Sequence, residues 1–123
     1  MGEPVAYLNG DFVPLDQARV SVNDRGFMLA DGIYEVVRVY QGRPFVLDRH
    51  MQRLERSAAS LGLRLDPPAD ELRRLCEDLV RRQLPGEGTI YLQITRGAAP
   101  RAHAVPAELQ PTTLIMTGGA PAQ

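Results

Sequence analysis

The sequence predicts an α+β domain in which two helices pack on a largely antiparallel sheet of hairpins. Two observations predict this class. Short alternating segments flank two-residue turns at Asn9-Gly10 and Gln41-Gly42, and two longer segments repeat apolar residues at helical spacing. The chain has 123 residues, of which 44% are hydrophobic, enough for one core. We therefore expect one domain, covering residues 1–117.

The first predicted element is a hairpin, since residues 5–8 and 11–13 flank Asn9-Gly10, a turn that favours positive φ. The turn-rich segment that follows is predicted to be an irregular connection. Its apolar residues, including Phe27 and Met28, are expected to be buried beside the sheet.

A second hairpin is predicted for residues 33–40 and 43–47. Glu35 falls on one face of the first strand and Tyr34 on the other, and neither face is purely polar. We therefore expect both faces to be covered. Pro44 indicates an edge position or the start of a strand, because proline cannot donate to a ladder.

Two amphipathic helices are predicted next. The first is capped by Asp48 and ended by Gly62, and the second lies between Pro68 and Pro85. Their apolar stripes are Met51, Leu54, Ala58 and Leu61 in the first helix, and Leu72, Leu75, Cys76, Leu79 and Val80 in the second.

The remainder is predicted to contain strands at residues 89–95 and 112–117, separated by a proline-rich loop at residues 96–111. Long loops inside compact domains are often functional. Residues 118–123 are typical of a linker and are expected to begin a connection to a second domain.

Bulk composition excludes several classes of function. The formal net charge of −1 predicts no nucleic-acid footprint, and no segment is long and apolar enough for a membrane span or a secretory signal. We expect a cytoplasmic protein. A single cysteine, Cys76, allows no internal disulfide, and no metal-binding motif is present. All fourteen basic residues are arginine, so the chain contains no lysine.

Three groups of residues could carry chemistry. His50 and Arg53 share one side of the first helix, and an arginine fork suits a phosphate, although arginines in this pattern more often belong to a solvated helix face. Tyr34 could point its hydroxyl into a cavity or simply pack on the sheet. In an extended loop, Arg101 and His103 point the same way and could bind one carboxylate, or they could be an exposed basic segment.

The sequence resembles the fold-type IV pyridoxal-phosphate enzymes over nearly its whole length. This family includes D-amino-acid transaminase, branched-chain aminotransferase and aminodeoxychorismate lyase. The resemblance rests on four motifs in order: Asp24-Arg25-Gly26-Phe27, Asp31-Gly32-Ile33-Tyr34-Glu35-Val36-Val37, His50-Met51-Gln52-Arg53-Leu54 and Tyr91-Leu92-Gln93-Ile94-Thr95-Arg96-Gly97. In addition, Pro100-Arg101-Ala102-His103 resembles the substrate loop of the D-amino-acid transaminases.

The resemblance implies a role for each candidate residue. Arg53 matches the arginine that holds the phosphate of pyridoxal phosphate, and Val36 matches a residue near the same pocket. Tyr34, Arg101 and His103 match the residues that bind the substrate carboxylate. In the family the loop reaches into the neighbouring subunit, which implies a homodimer. The Schiff-base lysine of the family lies in a C-terminal domain, so these residues alone are predicted to be inactive, without a catalytic residue or covalently bound cofactor.

The resemblance implies transfer of an amino group between D-amino acids, such as D-alanine, and 2-oxo acids. Branched-chain transamination and aminodeoxychorismate cleavage remain open within the same family. A non-catalytic binding or dimerisation domain remains open outside it. Because the family domain packs on a partner domain, the isolated chain is expected to oligomerise or to be marginally stable.

Overall fold

The computed structural model describes residues 3–84, 86–102, 104–105 and 109–119. Six strands form one antiparallel sheet in the order β2-β1-β6-β5-β3-β4. The strands are β1 (Val5–Leu8), β2 (Asp11–Pro14), β3 (Gly32–Tyr40), β4 (Arg43–Pro44), β5 (Gly88–Thr95) and β6 (Thr112–Gly119). The helices are α1 (Arg25–Leu29), α2 (Leu47–Leu61) and α3 (Ala69–Gln83), and a 3-10 turn spans Leu15–Gln17. The predicted α+β class is confirmed.

Helices α2 and α3 cover one face of the sheet and form a single core with it. Their apolar stripes meet the side chains that alternate toward the helices on β3, β5 and β6. Leu54, Leu72 and Leu92 are all fully buried there. Burying a leucine side chain stabilises the fold by about 1.5–3 kcal/mol relative to leaving it in water. In the described part of the chain, no helix is long and apolar enough to cross a bilayer.

The two faces of β3 differ, which corrects the prediction that both are covered. Val37 and Val39 are fully buried against the helices, whereas Tyr34, Val36 and Tyr40 on the opposite face are 64%, 47% and 46% exposed. The helices cover only one face, and among the described residues no helix packs over the other side of β3. The sequence showed that this outer face carries apolar residues, but it did not show that they are exposed.

The segment before β3 was predicted to be irregular with buried apolar residues, and both predictions were wrong. Residues 25–29 form α1, whose N-cap Asp24 accepts a 2.8 Å hydrogen bond from the amide of Gly26. Asp24 and Arg25 are buried, while Phe27 is 73% exposed. Gly26 lies against Thr95 with no room for a Cβ atom, so the helix turns its charged start inward and its apolar side outward.

Several predicted boundaries also shift. Helix α2 begins at Leu47, after Val46 in the left-handed region, so Asp48 lies in the first turn and is not the cap. Gly62 ends α2 in the left-handed conformation as predicted. The second hairpin is shorter than predicted, since only Arg43–Pro44 pairs with β3, with Pro44 on an edge strand.

Strand β6 extends past the predicted boundary at residue 117. Gly118 and Gly119, predicted to begin a linker, pair with Thr89 and Gly88 of β5. Residues 120–123 lie outside the described part of the chain. Cys76 is fully buried, as expected, and burial raises the pKa of its thiol to about 12.

Candidate active site

An open cavity of about 490 Å³ lies where β3 meets α2. Its lining consists of Tyr34, Glu35, Val36, Arg53 and Ser57. Tyr34 and Val36 reach it from the strand, and Arg53 and Ser57 reach it from successive turns of the helix. The structure thus brings Tyr34, Val36 and Arg53, which were singled out separately in the sequence, to one place.

Glu35 organises the helix side of this cavity. Its carboxylate is 4% exposed and accepts hydrogen bonds from Nε and Nη2 of Arg53 at 2.8 and 2.7 Å. Nδ1 of His50 lies 2.6 Å from Oε1 of the same carboxylate. The alternation of β3 turns Glu35 toward the helices, and the three-residue spacing of His50 and Arg53 places both above it. The bidentate contact fixes the plane of the guanidinium.

The electrostatics of this cluster keep both main partners charged. Burial alone would raise the pKa of Glu35, but the hydrogen bonds from Arg53 and His50 and the charge of Arg53 outweigh it and lower that pKa. The carboxylate in turn raises the pKa of Arg53. A fixed positive charge therefore stands at the mouth of the cavity.

The geometry at Arg53 fits a phosphate group. The side chain is 59% exposed, and among the described residues Nη1 has no hydrogen-bond partner. An arginine that is held on one edge and open on the other can still donate to an incoming oxyanion. The hydroxyl of Ser57, one turn along α2, offers another donor in the same cavity. These residues fit the phosphate of pyridoxal phosphate.

Tyr34 is held by one aromatic neighbour. Its ring stacks on Tyr91 of β5 with centroids 6.0 Å apart and planes 25° apart. Val36 lies opposite Tyr91 in the strand register, so the two tyrosines are diagonal neighbours on the outer face. Stacking limits the ring's movement, and the side chain remains mostly in solvent.

Arg101 lies elsewhere. It is exposed on the loop between β5 and β6 and does not line the cavity that contains Arg53. The start of this loop is paired with the segment before α1 through the Arg25 amide to the Gly97 carbonyl at 2.8 Å and the Ala99 amide to the Asn23 carbonyl at 3.1 Å. His103, predicted to act with Arg101, lies outside the described residues. The structure thus separates Arg101 from Tyr34 and Arg53 within one chain.

Two features of the site were not assigned from the sequence. Glu35 was noticed beside Tyr34 but given no role, and Ser57 was not noticed. Glu35 lies on the same face of β3 as the buried residues Val37 and Val39, where an apolar residue is expected. This signal could have identified it, because a buried carboxylate needs partners. Ser57 carries no comparable signal. In the described part of the chain no cluster of His, Cys, Asp and Glu could hold a metal ion.

A six-stranded antiparallel sheet with two helices on one face defines the small domain of a fold-type IV enzyme. A family model described as amino-transferase class IV matches residues 32–122. The D-alanine aminotransferase of Staphylococcus aureus strain N315 is 44% identical over 112 residues, which cover 90% of this chain and 40% of that protein. The chain therefore belongs to the class IV aminotransferase family.

Solved structures support the same assignment. The branched-chain amino acid aminotransferase of Escherichia coli superposes with a TM-score of 0.89 at 25% identity, over 98% of this chain and 41% of that chain. The 4-amino-4-deoxychorismate lyase of Pseudomonas aeruginosa gives a TM-score of 0.81 at 32% identity, over 96% and 41%. The chain spans about two fifths of the length of these relatives.

Proposed function

We propose that this chain forms the small domain of a pyridoxal-phosphate-dependent transaminase that exchanges an amino group between D-amino acids, such as D-alanine, and 2-oxo acids. The observation that carries the proposal is the cavity in which Glu35 holds Arg53 open to an oxyanion. The 44% identity to a D-alanine aminotransferase supports the choice of substrate class.

Each proposed contact acts on a different part of the bound molecules. Arg53, with the hydroxyl of Ser57 beside it, holds the cofactor phosphate by charge-assisted hydrogen bonds. The hydroxyl of Tyr34 donates a hydrogen bond to the substrate carboxylate, and the stacking of its ring on Tyr91 limits where that hydroxyl can lie. When bound, the cofactor supplies the electron sink that allows an amino group to be transferred. The 123 residues contain no lysine, so we expect no turnover from them alone.

Arg101 and His103 complete the carboxylate site in this proposal. Because Arg101 does not line the cavity of its own chain, we place it in the active site of a second copy, in a homodimer. Its exposed guanidinium is then available to another subunit. A carboxylate bound by a planar arginine fork is held in a defined orientation, which transamination requires.

The experiment is to replace Arg101 with leucine in the full-length protein. We expect KM to rise by roughly 10- to 100-fold for both D-alanine and 2-oxoglutarate, because one charge-assisted contact to the carboxylate is lost. The change in kcat should be smaller. Arg74→Leu is the matched control, since Arg74 is exposed on α3 and the same charge is removed there. An unchanged KM for both substrates contradicts the role of Arg101.

A second candidate keeps the cofactor and changes the reaction. The high TM-score with a branched-chain aminotransferase and the 32% identity to an aminodeoxychorismate lyase favour it. An assay of the full-length protein with D-alanine and 2-oxoglutarate, with L-leucine and 2-oxoglutarate, and with aminodeoxychorismate separates the candidates. Amino transfer from D-alanine supports our proposal, whereas activity on only the other two substrates rejects it.

A further inference from the structure

The side chain of Arg25 connects the base of β3 to the loop that carries Arg101. Arg25 is 6% exposed. Its Nε donates to Oδ2 of Asp31 at 2.7 Å, and its Nη1 donates to the carbonyl of Ala102 at 2.8 Å, with the carbonyl of Ala104 at 3.4 Å. One guanidinium therefore holds both a carboxylate on the sheet and the backbone of the loop.

The Asp31 end of this connection is firmly held. Asp31 immediately precedes β3, and its Oδ2 also accepts a 2.9 Å hydrogen bond from Nε of Arg96. The outer nitrogens of Arg96 donate to the carbonyls of Leu61 and Gly62 at the end of α2. Burial would raise the pKa of Asp31, but Arg96 and Arg25 outweigh it and lower that pKa, so the anchor is an ionised carboxylate.

The loop end of the connection lies directly after Arg101. Consecutive Cα atoms are about 3.8 Å apart, so fixing the Ala102 carbonyl also restricts the backbone position of Arg101. The Arg25 amide already holds the Gly97 carbonyl at the start of the loop. These two contacts lie on either side of residues 98–101, within which Arg101 is exposed.

We propose that Arg25 is a positioning residue for Arg101: its guanidinium fixes the loop in the conformation from which Arg101 meets the substrate carboxylate. This inference rests on the carboxylate role proposed above for Arg101. Arg25 itself is buried and does not touch substrate. Its loss should therefore raise KM for both the amino acid and the 2-oxo acid, with little effect on kcat.

The test compares Arg25→Lys with Arg96→Lys in the full-length enzyme. Both variants keep a positive charge near Asp31, but only the first removes the planar fork that reaches the Ala102 carbonyl. Two quantities are measured: the rate at which trypsin cuts the Arg101–Ala102 bond, identified by peptide mass, and the kinetic constants with D-alanine and 2-oxoglutarate. Cleavage of a locally opened segment reports the population of the open form.

For Arg25→Lys we expect cleavage after Arg101 to be roughly tenfold faster and KM about 3- to 10-fold higher, with kcat within about twofold of the parent. Arg96→Lys should have the smaller effect, about twofold on each quantity, because it weakens the hold on Asp31, which Arg25 shares, but leaves the contact of Arg25 with the Ala102 carbonyl in place. Wild-type cleavage and KM in Arg25→Lys, or equal increases in Arg96→Lys, overturn the inference.

Two further comparisons keep the test decisive. If Arg25→Lys does not fold, Asp31→Asn is the substitute. It weakens the contact between Arg25 and residue 31 while keeping the Arg25 guanidinium that reaches the Ala102 carbonyl. We expect it to speed cleavage by about threefold, and unchanged cleavage rejects the inference. If Arg101→Leu leaves KM unchanged, the proposed carboxylate role fails, and the cleavage rate still tells whether Arg25 fixes the loop. If Arg101→Leu raises KM and Arg25→Lys does not, the positioning role alone is wrong.

Discussion

The arginine proposed to bind the cofactor phosphate and the arginine proposed to bind the substrate carboxylate are attached to the fold in different ways. Arg53 lies in the middle of α2 and is fixed by a bidentate contact to Glu35, which itself lies in the middle of β3. Arg101 lies on a loop, and its nearest support is a hydrogen bond from Arg25 to the next residue's carbonyl. The first attachment uses regular elements, and the second uses one side chain.

This difference teaches where variation is tolerated. A phosphate is the same in every cofactor molecule, and a contact built on a helix and a strand keeps it in one place. A substrate site built on a loop can change with the loop while the sheet stays the same. We therefore expect changes near Arg53 to alter cofactor affinity and changes near Arg101 to alter substrate preference.

The largest effect we expect around the cavity follows Arg53→Leu. Loss of the fork should weaken binding of pyridoxal phosphate by roughly 10- to 100-fold, because a charge-assisted contact to the phosphate is removed. Equilibrium dialysis of the full-length protein against the cofactor measures this. Arg56→Leu is the control, since Arg56 is exposed on the same helix and does not line the cavity. Equal loss of affinity in both variants would remove the distinction between the cavity and the rest of α2.

A smaller effect is expected for Glu35→Gln. The amide keeps the shape but cannot accept two charge-assisted bonds from Arg53, so the free energy of unfolding should fall by about 1 kcal/mol at neutral pH. The pKa of Glu35 is lowered in the fold from its ordinary value of 4.5, so its contribution is present above that pH and is lost as pH falls through the lowered pKa.

The pH dependence gives this substitution a distinct signature. The difference in unfolding free energy between wild type and Glu35→Gln should stay constant from neutral pH down to about 4.5 and then shrink as pH falls through the lowered pKa of Glu35. Urea unfolding across that range measures it, with Asp48→Asn as the control because Asp48 is 81% exposed. A difference that stays constant down to the lowest pH would contradict a stabilising ionised carboxylate at Glu35.

The smallest effect is expected for Ser57→Ala. If its hydroxyl donates to the phosphate, cofactor affinity should fall by roughly threefold, as for one neutral hydrogen bond at an open site. The matched control is Ser60→Ala, an exposed serine near the end of the same helix. A difference of less than about 1.5-fold between the two variants would leave Arg53 as the phosphate donor of α2 without help from Ser57.

The sequence predicted the regular part of the fold because that part follows simple periodicities. The alternation of β3 and β5 and most of the apolar stripes of α2 and α3 correspond to buried side chains in one core, although Leu61, predicted in the stripe of α2, is 42% exposed and Leu75 of α3 is only partly buried. Gly62 was recognisable as the end of α2 because its left-handed conformation suits glycine. The prediction failed at Asp48, because the cap of α2 is Val46 in the left-handed conformation, two residues earlier.

The site was predictable only in part. Motif resemblance singled out Arg53, Tyr34, Arg101 and His103 as candidates, and the structure places Arg53 and Tyr34 in one cavity. The partly buried network of Arg25, Asp31 and Arg96 could not be predicted, because its members are joined by tertiary contacts and charged residues normally indicate surface. For the same reason Phe27 was expected to be buried, whereas it is 73% exposed and the neighbouring Arg25 is buried. Burial there is decided by ion pairs and by the close contact of Gly26 with Thr95.

The position of β1 between β2 and β6 bears on how the chain acquires its structure during synthesis. Tyr7 and Leu8 pair with Ile115 and Leu114, so the first hairpin of this sheet is joined to the other strands by β6, the strand of the sheet that is synthesised last. Closing a contact over such a long stretch of chain costs entropy that only the finished core can offset. A nascent chain that stops before β6 therefore carries a hairpin with an unpaired edge, an opportunity for wrong pairing that ends when residues 112–119 emerge.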